Sequence, residues 1–204
     1  MSSYEKPDHW SIKAQKEGYP ARSVYKLKEL DEKFGLFRFG GADFRALDLG
    51  AAPGSWSLYA LRKFSGRFFL TAVDLAPLSR QYDKGLFDGA NFFFAQGDMT
   101  DAAVRGTLQE KGPYKLVMCD AAPATTGNRS VDTLRSLVLA EEALSYAETC
   151  LAPGGNLAVK VFQGGDTAAL LKRIREIFKT GKSFKPAACR SESFETYYVG
   201  LERR

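Results

Sequence analysis

The stretch Arg45-Ala-Leu-Asp-Leu-Gly50-Ala-Ala-Pro-Gly54-Ser-Trp56 decides the fold of this chain. Its first five residues predict a buried β-strand, the glycines predict a tight turn, and a helix is expected from about Ser55 to Lys63. The glycine spacing is Gly-x-x-x-Gly, and no Lys-Ser/Thr pair follows it. This spacing excludes a P-loop and disfavours a cradle for a pyrophosphate relative to a ligand without phosphates.

Strands and helices alternate along the rest of the chain. Apolar runs predict strands at residues 68–73, 91–95, 115–119, 156–162 and 196–201. Helical spacing predicts helices over about 22–34, from about Asp132 to the turn Pro153-Gly-Gly155, and from about Asp166 to Gly181, and Asp101 is a candidate helix cap. The pattern indicates an α/β fold with a mainly parallel sheet covered by helices on both faces. Ligands in such folds bind beyond the carboxyl ends of the strands.

Length and composition indicate one ordinary globular domain. With 204 residues, the chain is expected to form an N-terminal extension over 1–20, loosely structured, and a single domain over 21–204. No apolar run approaches the roughly 18 residues of a membrane span, so no membrane partner is expected. The three cysteines are far apart and odd in number, which disfavours disulfides and a metal site and favours the cytoplasm. A monomer is the default expectation.

The net charge of +5 is unevenly distributed. Residues 13–28 carry five basic residues against one acidic, and residues 172–190 carry seven against one. If the fold brings the two segments together, they form a patch that favours phosphate backbones. Two solvated helix faces would explain the same charges equally well.

Carboxylates follow the second and third strands. Asp74 ends the second strand, where a carboxylate can contact a ribose hydroxyl. Gln96-Gly97-Asp98 ends the third, and Asp98 suits an adenine amino group. Either residue alone could be a helix cap or a turn residue. The glycine turn and the two carboxylates at three successive strand ends together predict a nucleoside-like ligand.

Lys160 is a charge inside an apolar strand, Asn156-Leu-Ala-Val-Lys-Val-Phe162. Lysine is almost never fully buried without a partner, because an unpaired buried charge is costly. The strand end therefore opens onto a polar site, or carboxylates hold the ammonium group. A purely structural ion pair with Asp120 would account for the lysine without any chemistry.

Taken together, the motifs resemble those of the FtsJ/RrmJ-type ribose 2'-O-methyltransferases, and the resemblance runs from about residue 20 to 201. The matching segments are Asp48-Leu-Gly-Ala-Ala-Pro-Gly-Ser-Trp56, Val73-Asp-Leu-Ala-Pro77, Gln96-Gly-Asp98, Cys119-Asp-Ala-Ala-Pro123, Leu151-Ala-Pro-Gly-Gly155, Val159-Lys-Val-Phe-Gln-Gly164, Ser191-Glu-Ser-Phe-Glu-Thr-Tyr197 and Arg22-Ser-Val-Tyr-Lys-Leu27. The glycine turn alone is a weak signal, whereas the ordered set is a strong one.

The resemblance implies a Rossmann-like class I methyltransferase fold with seven strands and S-adenosyl-L-methionine as cofactor. It implies an RNA substrate, ribosomal RNA or a ribosomal subunit, for which Tyr19 and Tyr25 are candidate base contacts. The implied catalytic tetrad, named so below, is Lys26, Asp120, Lys160 and Glu195. The implied cofactor-binding residues are Asp48, Gly50, Gly54, Trp56, Asp74, Asp98 and Asp120.

A ribose 2'-hydroxyl is a poor nucleophile, so the enzyme must align it and take or share its proton. The single histidine, His9, lies near the N-terminus, and a lysine is the plausible substitute. We expect Lys160 to act as base or to position the hydroxyl, with Asp120 orienting it. Lys26 and Glu195 are expected to hold the ribose and the charge balance.

The chain departs from the family at Ala124, where the family often has Asn. Thr125, Thr126 and Asn128 are the candidates to supply the missing polar contact. Two alternative functions remain. An RNA-binding module on a degenerate methyltransferase fold would have lost the tetrad, and a nicotinamide-dependent oxidoreductase is disfavoured by the glycine spacing and the lack of a suitable histidine.

Overall fold

A computed structural model describes residues 8–39, 44–64, 68–164, 167–190 and 192–204. Within these ranges seven strands form one mostly parallel sheet, as predicted, and their order is β3-β2-β1-β4-β5-β7-β6. The strands are β1 (Phe44–Leu49), β2 (Phe68–Asp74), β3 (Phe92–Gln96), β4 (Tyr114–Cys119), β5 (Leu151–Phe162), β6 (Phe178–Phe184) and β7 (Glu195–Arg203). The helices are α1 (His9–Lys16), α2 (Val24–Phe34), α3 (Ser55–Lys63), α4 (Ala102–Glu110), α5 (Arg129–Cys150) and α6 (Thr167–Ile177).

The strand order reverses beside β1, and this sets the position of the site. Strand β1 pairs in parallel with β2 on one side and with β4 on the other. The connections leaving β1 and β4 therefore diverge, which opens a crevice at their carboxyl ends. Strand β7 is antiparallel and lies between β5 and β6, so its first residues come to the same edge as the last residues of β5.

The sheet is apolar on both faces because helices cover both. One face packs against α2 and α3, where Leu27 and Leu58 are fully buried. The other packs against α5, which presents Ala140 and Ala143 to the strands. Small side chains let this helix approach the sheet closely. None of the helices in the described ranges is long and apolar enough to cross a membrane.

The expectation that the N-terminal 20 residues are loosely structured is wrong from residue 8 onward. Helix α1 forms here, and the Asp8 carboxylate caps it by accepting a hydrogen bond from the Ser11 amide at 2.8 Å. Ala14 of this helix is buried against the domain. Residues 1–7 of the expected extension lie outside the described ranges.

Three boundaries in the second half also differ from expectation. The predicted last helix ends at Ile177, and Phe178–Phe184 is an edge strand whose alternation was hidden by apolar residues at helical spacing. Strand β5 already begins at Leu151, with a register shift opposite Tyr114 and Leu116. Helix α5 begins at Arg129, before the expected start. The predicted helix start at Asp166 and the motif residue Ser191 lie outside the described ranges, and the capping of α4 by Asp101 is confirmed.

Two glycines allow a test of how closely the glycine turn approaches the loop after β4. Gly50 and Gly154 both have left-handed backbones, with φ of +72° and +75°. A Cβ atom on Gly50 would lie 2.6 Å from the Ala121 Cβ and 2.7 Å from its Cα, whereas nothing lies within 4 Å at Gly154. We expect Gly154→Ala to lower the free energy of unfolding by roughly 1–2 kcal/mol, the cost of the left-handed conformation.

Gly50→Ala should cost a further 1–3 kcal/mol or so, because the backbone of β4's following loop must move. Urea denaturation of the two variants measures both values. Equal losses of unfolding free energy would contradict the close approach of Gly50 to Ala121.

Candidate active site

A groove of about 110 Å³ lies at the carboxyl ends of β1, β2 and β3. It is called the acidic groove below. Three of the predicted cofactor-binding residues lie on its wall, namely Gly50, Asp74 and Asp98. Its apolar lining includes Leu75, Met99 and Leu139.

Backbone amides hold the two carboxylates of the acidic groove in place. Asp74 accepts hydrogen bonds from the amides of Ala52 at 2.9 Å and Ala76 at 2.8 Å, so it clamps the glycine turn to the end of β2. Asp98 accepts from the Thr100 amide and hydroxyl, both at 2.8 Å. These two hydrogen bonds lower the pKa of Asp98, so that its exposed carboxylate is negatively charged.

Asp48 lies behind the glycine turn and is fully buried. Its Oδ2 accepts a hydrogen bond from the Ser57 hydroxyl at 2.7 Å, and its Oδ1 has no partner within the described residues. Burial, with smaller contributions from the charges of Asp120 and Asp74, raises the pKa of this carboxyl to about 7 against the lowering effect of the Ser57 hydrogen bond. Asp48 therefore gains its full negative charge only above about pH 7.

The charge of the acidic groove fits the cofactor that the motifs imply. S-adenosyl-L-methionine carries a positive sulfonium group and a positive ammonium group. Asp74 and Asp98 on the groove wall would attract both groups, and a cation nearby can compensate the orphaned buried oxygen Oδ1 of Asp48. The apolar residues Met99 and Leu139 suit the flat face of adenine.

Four of the predicted cofactor residues do not lie on the groove wall, namely Asp48, Gly54, Trp56 and Asp120. Gly54 has φ of +105° and precedes α3, and a Cβ atom there would lie 2.9 Å from the Phe87 ring. Its role is to form the turn. The indole of Trp56 is only 2% exposed, and its Nε1 donates to the Ser23 carbonyl at 2.8 Å. The expectation that this side chain flanks the cofactor is therefore corrected, because the indole belongs to the core.

The buried lysine has the carboxylate partner that its position required. Lys160 is 6% exposed, and its Nζ donates to the Asp120 carbonyl oxygen at 2.6 Å. The same Nζ lies 3.1 Å from Asp120 Oδ1. The end of β5 thus presents one ammonium group, held by a single residue at the end of β4, to the edge where the acidic groove begins.

Lys26 and Glu195 form a second ion pair, with Nζ and Oε2 2.6 Å apart. Burial lowers the pKa of Lys26, but attraction by Asp120 and Glu195 and the hydrogen bond to Glu195 outweigh it, and the net shift is upward. Lys26 is therefore a fixed cation at neutral pH. Its Nζ lies 6.0 Å from the centroid of the Tyr197 ring.

Tyr197 joins the two ion pairs and was not singled out from the sequence. Its hydroxyl donates to Asp120 Oδ1 at 2.5 Å, and it pairs with Lys160 across β5 and β7. Burial, and next the charge of Asp120, raise the pKa of this phenol well above its usual value, so it remains a donor. A signal existed, since Tyr197 stands two residues from Glu195 in a strand and so shares its face. The structure brings all four tetrad residues together around this ring.

A cleft of about 430 Å³ opens on the other side of the tetrad. Its lining includes Arg22, Lys26, Arg190 and Glu195, and it is called the basic cleft below. The two basic segments of the sequence meet here. Glu29 of α2 accepts hydrogen bonds from the amides of Ala187 and Ala188 at 2.7 and 2.9 Å, which fixes the second segment against the first.

The aromatic candidates for RNA contact are wrong. Tyr19 is 7% exposed and Tyr25 is 4% exposed, so neither ring can stack on a base. Tyr25 packs on Trp10 of α1, with the Lys13 and Lys28 ammonium groups over its ring. The two tyrosine rings make cation–π contacts with nearby lysines.

The loop that follows Asp120 uses two of its three polar candidates internally. The Thr126 amide and hydroxyl both donate to Asp132 Oδ1 at 2.8 Å, and Asn128 caps α5. Thr125 is exposed and forms no hydrogen bond within the described residues. In those residues, no group of three or more His, Cys, Asp or Glu side chains could hold a metal ion.

Comparison with known proteins agrees with this geometry. The family model for FtsJ-like methyltransferases matches residues 19–203. The ribosomal RNA large subunit methyltransferase E of Treponema denticola is 54% identical over 98% of this chain and 97% of its own length. The protein of the same name from Borreliella afzelii is 46% identical over 95% and 96%. A crystal structure assigned as a ribosomal RNA methyltransferase of Plasmodium falciparum is 25% identical, with a TM-score of 0.72 over 91% of this chain and 98% of that chain.

The buried carboxyl of Asp48 predicts a pH-dependent stability. Because its folded-state pKa is about 7 and its ordinary value is 3.8, the folded protein holds a proton that the unfolded chain loses. Wild-type stability should therefore fall as the pH rises from about 4 to about 7. Asp48→Asn mimics the protonated form and escapes this loss. The unfolding free energy of the variant minus that of the wild type should therefore be roughly 3 kcal/mol larger at pH 8 than at pH 5.

Urea unfolding of both proteins at the two pH values measures this change. A constant difference between variant and wild type would contradict the raised pKa of Asp48.

Proposed function

This chain belongs to the FtsJ-like methyltransferase family, and we propose that the tetrad is the site at which it methylates RNA. The protein is an S-adenosyl-L-methionine-dependent enzyme that methylates a ribose 2'-hydroxyl of ribosomal RNA. The observation that supports the site is the pairing of Lys160 with Asp120, placed between the acidic groove and the basic cleft. A methyl donor in the groove and a ribose in the cleft would meet at this lysine.

The bound cofactor supplies a methyl group on a positively charged sulfur, a good electrophile. The chain must place the 2'-oxygen in line with that methyl group and accept the hydroxyl proton as the O–C bond forms and the S–C bond breaks. Lys160 in its amine form would accept the proton. Asp120 would then stabilise the ammonium ion through the contacts it already makes at 2.6 and 3.1 Å.

The two lysines of the tetrad have different tasks. Lys26 remains protonated because Asp120 and Glu195 raise its pKa, so it cannot be the base. It lines the basic cleft beside Glu195 and Arg22, where a cation can hold the ribose or the adjacent phosphate. Glu195 balances its charge and offers an acceptor to a sugar hydroxyl.

The alternative functions fit less well. A nicotinamide dinucleotide would bring a pyrophosphate to a groove that already carries Asp74 and Asp98, where like charges repel. A degenerate RNA-binding module would not need to keep Lys160 and Lys26 in paired positions. Both observations support the transfer reaction.

We also propose the setting in which the enzyme works. All four tetrad residues come from one chain, which supports a monomer with a single catalytic domain over 21–204. The three cysteines are free, as in a reducing cytoplasm. The names of the Treponema and Borreliella relatives support the large ribosomal subunit as the partner, and no membrane partner is proposed.

The test measures methyl transfer to large ribosomal subunits from a strain that lacks this gene. We expect the wild-type protein to add one ribose methyl group, located by mass spectrometry of the RNA. Lys160→Ala should lower kcat by about 10²–10⁴-fold, the usual contribution of a general base. Its Kd for S-adenosyl-L-methionine, measured by calorimetry, should stay within about twofold of wild type, because Lys160 is not on the groove wall.

Lys111→Ala is the matched control. It removes a lysine that packs over Phe93 at the far side of the sheet, and its kcat should equal that of wild type. Full activity of Lys160→Ala would contradict the role of this lysine. Methylation of a base in place of a ribose would contradict the reaction.

A further inference from the structure

We propose that Ser55 and Trp56, the first residues of α3, are positioning residues of the basic cleft, although they directly follow the cofactor turn. This inference rests on the proposed function, in which that cleft receives the RNA. Both side chains are almost fully buried, at 1% and 2% exposed, and both reach across to the chain segment 21–23. That segment forms one wall of the cleft.

Ser55 makes a paired contact with Ala21. Its hydroxyl oxygen accepts a hydrogen bond from the Ala21 amide at 2.9 Å and donates to the Ala21 carbonyl at 3.1 Å. A single side chain thus satisfies both backbone groups of one residue at the cleft wall. Within its own segment, the Ala21 carbonyl accepts only a long hydrogen bond of 3.5 Å from the Val24 amide among the described residues.

Trp56 holds the next carbonyl along the segment. The Ser23 carbonyl accepts from Trp56 Nε1 at 2.8 Å and also from the Lys26 amide at 3.0 Å. Trp56 therefore fixes the first turn of α2, from which the Lys26 side chain extends to Glu195. Its ring also lies 5.9 Å from that of Tyr197, the residue that binds Asp120.

These contacts matter because they hold the backbone at the start of α2, whereas the other anchors there, from Arg22 to Asp8 and Ala188, act through a side chain. Ser23 occupies the N-cap position, but its side chain makes no capping hydrogen bond. Helix α3 thus positions the backbone that carries Arg22 and Lys26, and the ion pairs with Asp8 and Glu195 hold the two side chains. The first turn of α3 contacts the wall of the basic cleft. It also directly follows the glycine turn, which forms part of the acidic groove.

Ser57 provides a matched comparison within the same helical turn. Like Ser55 it is buried and donates one hydrogen bond, but its partner is Asp48 on the cofactor side. Ser55→Ala loses two hydrogen bonds to backbone groups, and Ser57→Ala loses one to a carboxylate, so both variants lose buried hydrogen bonding. The two variants should differ in which ligand binds more weakly.

The experiment compares Ser55→Ala with Ser57→Ala in the full-length protein, using large ribosomal subunits from the deletion strain as substrate. We expect Ser55→Ala to raise the KM for subunits by about tenfold, because both hydrogen bonds that hold the cleft wall at Ala21 are lost. Its Kd for S-adenosyl-L-methionine should stay within about twofold of wild type. Ser57→Ala should show the opposite split, with weaker cofactor binding and an unchanged KM.

Trp56→Phe is the second variant, since it keeps an aromatic ring in the core and removes the Nε1 donor together with part of the buried ring volume. It should follow Ser55→Ala, with a raised KM and unchanged cofactor affinity. The inference is overturned if Ser55→Ala raises the Kd for S-adenosyl-L-methionine and leaves the KM for subunits unchanged. It is also overturned if the KM and the Kd of this variant both equal the wild-type values. If the wild-type protein binds subunits without methylating them, the proposed function is contradicted but the role of Ser55 is not. The Kd for subunits then replaces the KM, and Ser55→Ala should raise it by the same factor.

Discussion

The Asp120 carboxylate is the group on which the active site depends. It accepts a hydrogen bond from the Tyr197 hydroxyl at 2.5 Å, and it lies 3.1 Å from the Lys160 ammonium group. A buried lysine without such a partner would cost several kcal/mol or lose its proton. Because Tyr197 is itself fully buried, it holds the carboxylate in one orientation. The lysine is thereby fixed at the strand end.

The sheet topology places this carboxylate between two openings of different charge. Asp120 follows β4, next to the strand where the sheet order reverses. The adjacent Ala121 forms part of the acidic groove. The antiparallel strand β7 brings Tyr197 and Glu195 to the same edge from the other side, where the basic cleft begins. The acidic groove suits a cationic cofactor. The basic cleft, where three basic residues stand against Glu192 and Glu195, suits a polyanion.

Local sequence patterns predicted most of the fold correctly. The six strands predicted from the sequence, the glycine turn and the cap at Asp101 depend on neighbours in sequence, and all are confirmed. Lys160 was informative because a charge in an apolar strand demands a partner. The edge strand β6 was mistaken for helix because its first residue, Phe178, continues the apolar spacing of α6.

The errors at the site have a common physical cause. Trp56 and Tyr25 were expected near ligands, yet both are buried by long-range contacts, to Ser23 and to Trp10, that no local pattern shows. Tyr197 was missed for the same reason, since its importance depends on a partner 77 positions away. The hydrogen-bond partners of the polar atoms on aromatic rings are distant in sequence, so local patterns do not identify them.

The most direct test of this account is the kcat of Tyr197→Phe for methyl transfer to large ribosomal subunits. The variant keeps the ring and removes the hydroxyl that holds Asp120, a hydrogen bond to a charged group. We predict a kcat lowered by roughly ten- to hundredfold, with unchanged affinities for cofactor and RNA. A kcat equal to that of the wild type would contradict the claim that a fixed Asp120 carboxylate sets the position of Lys160.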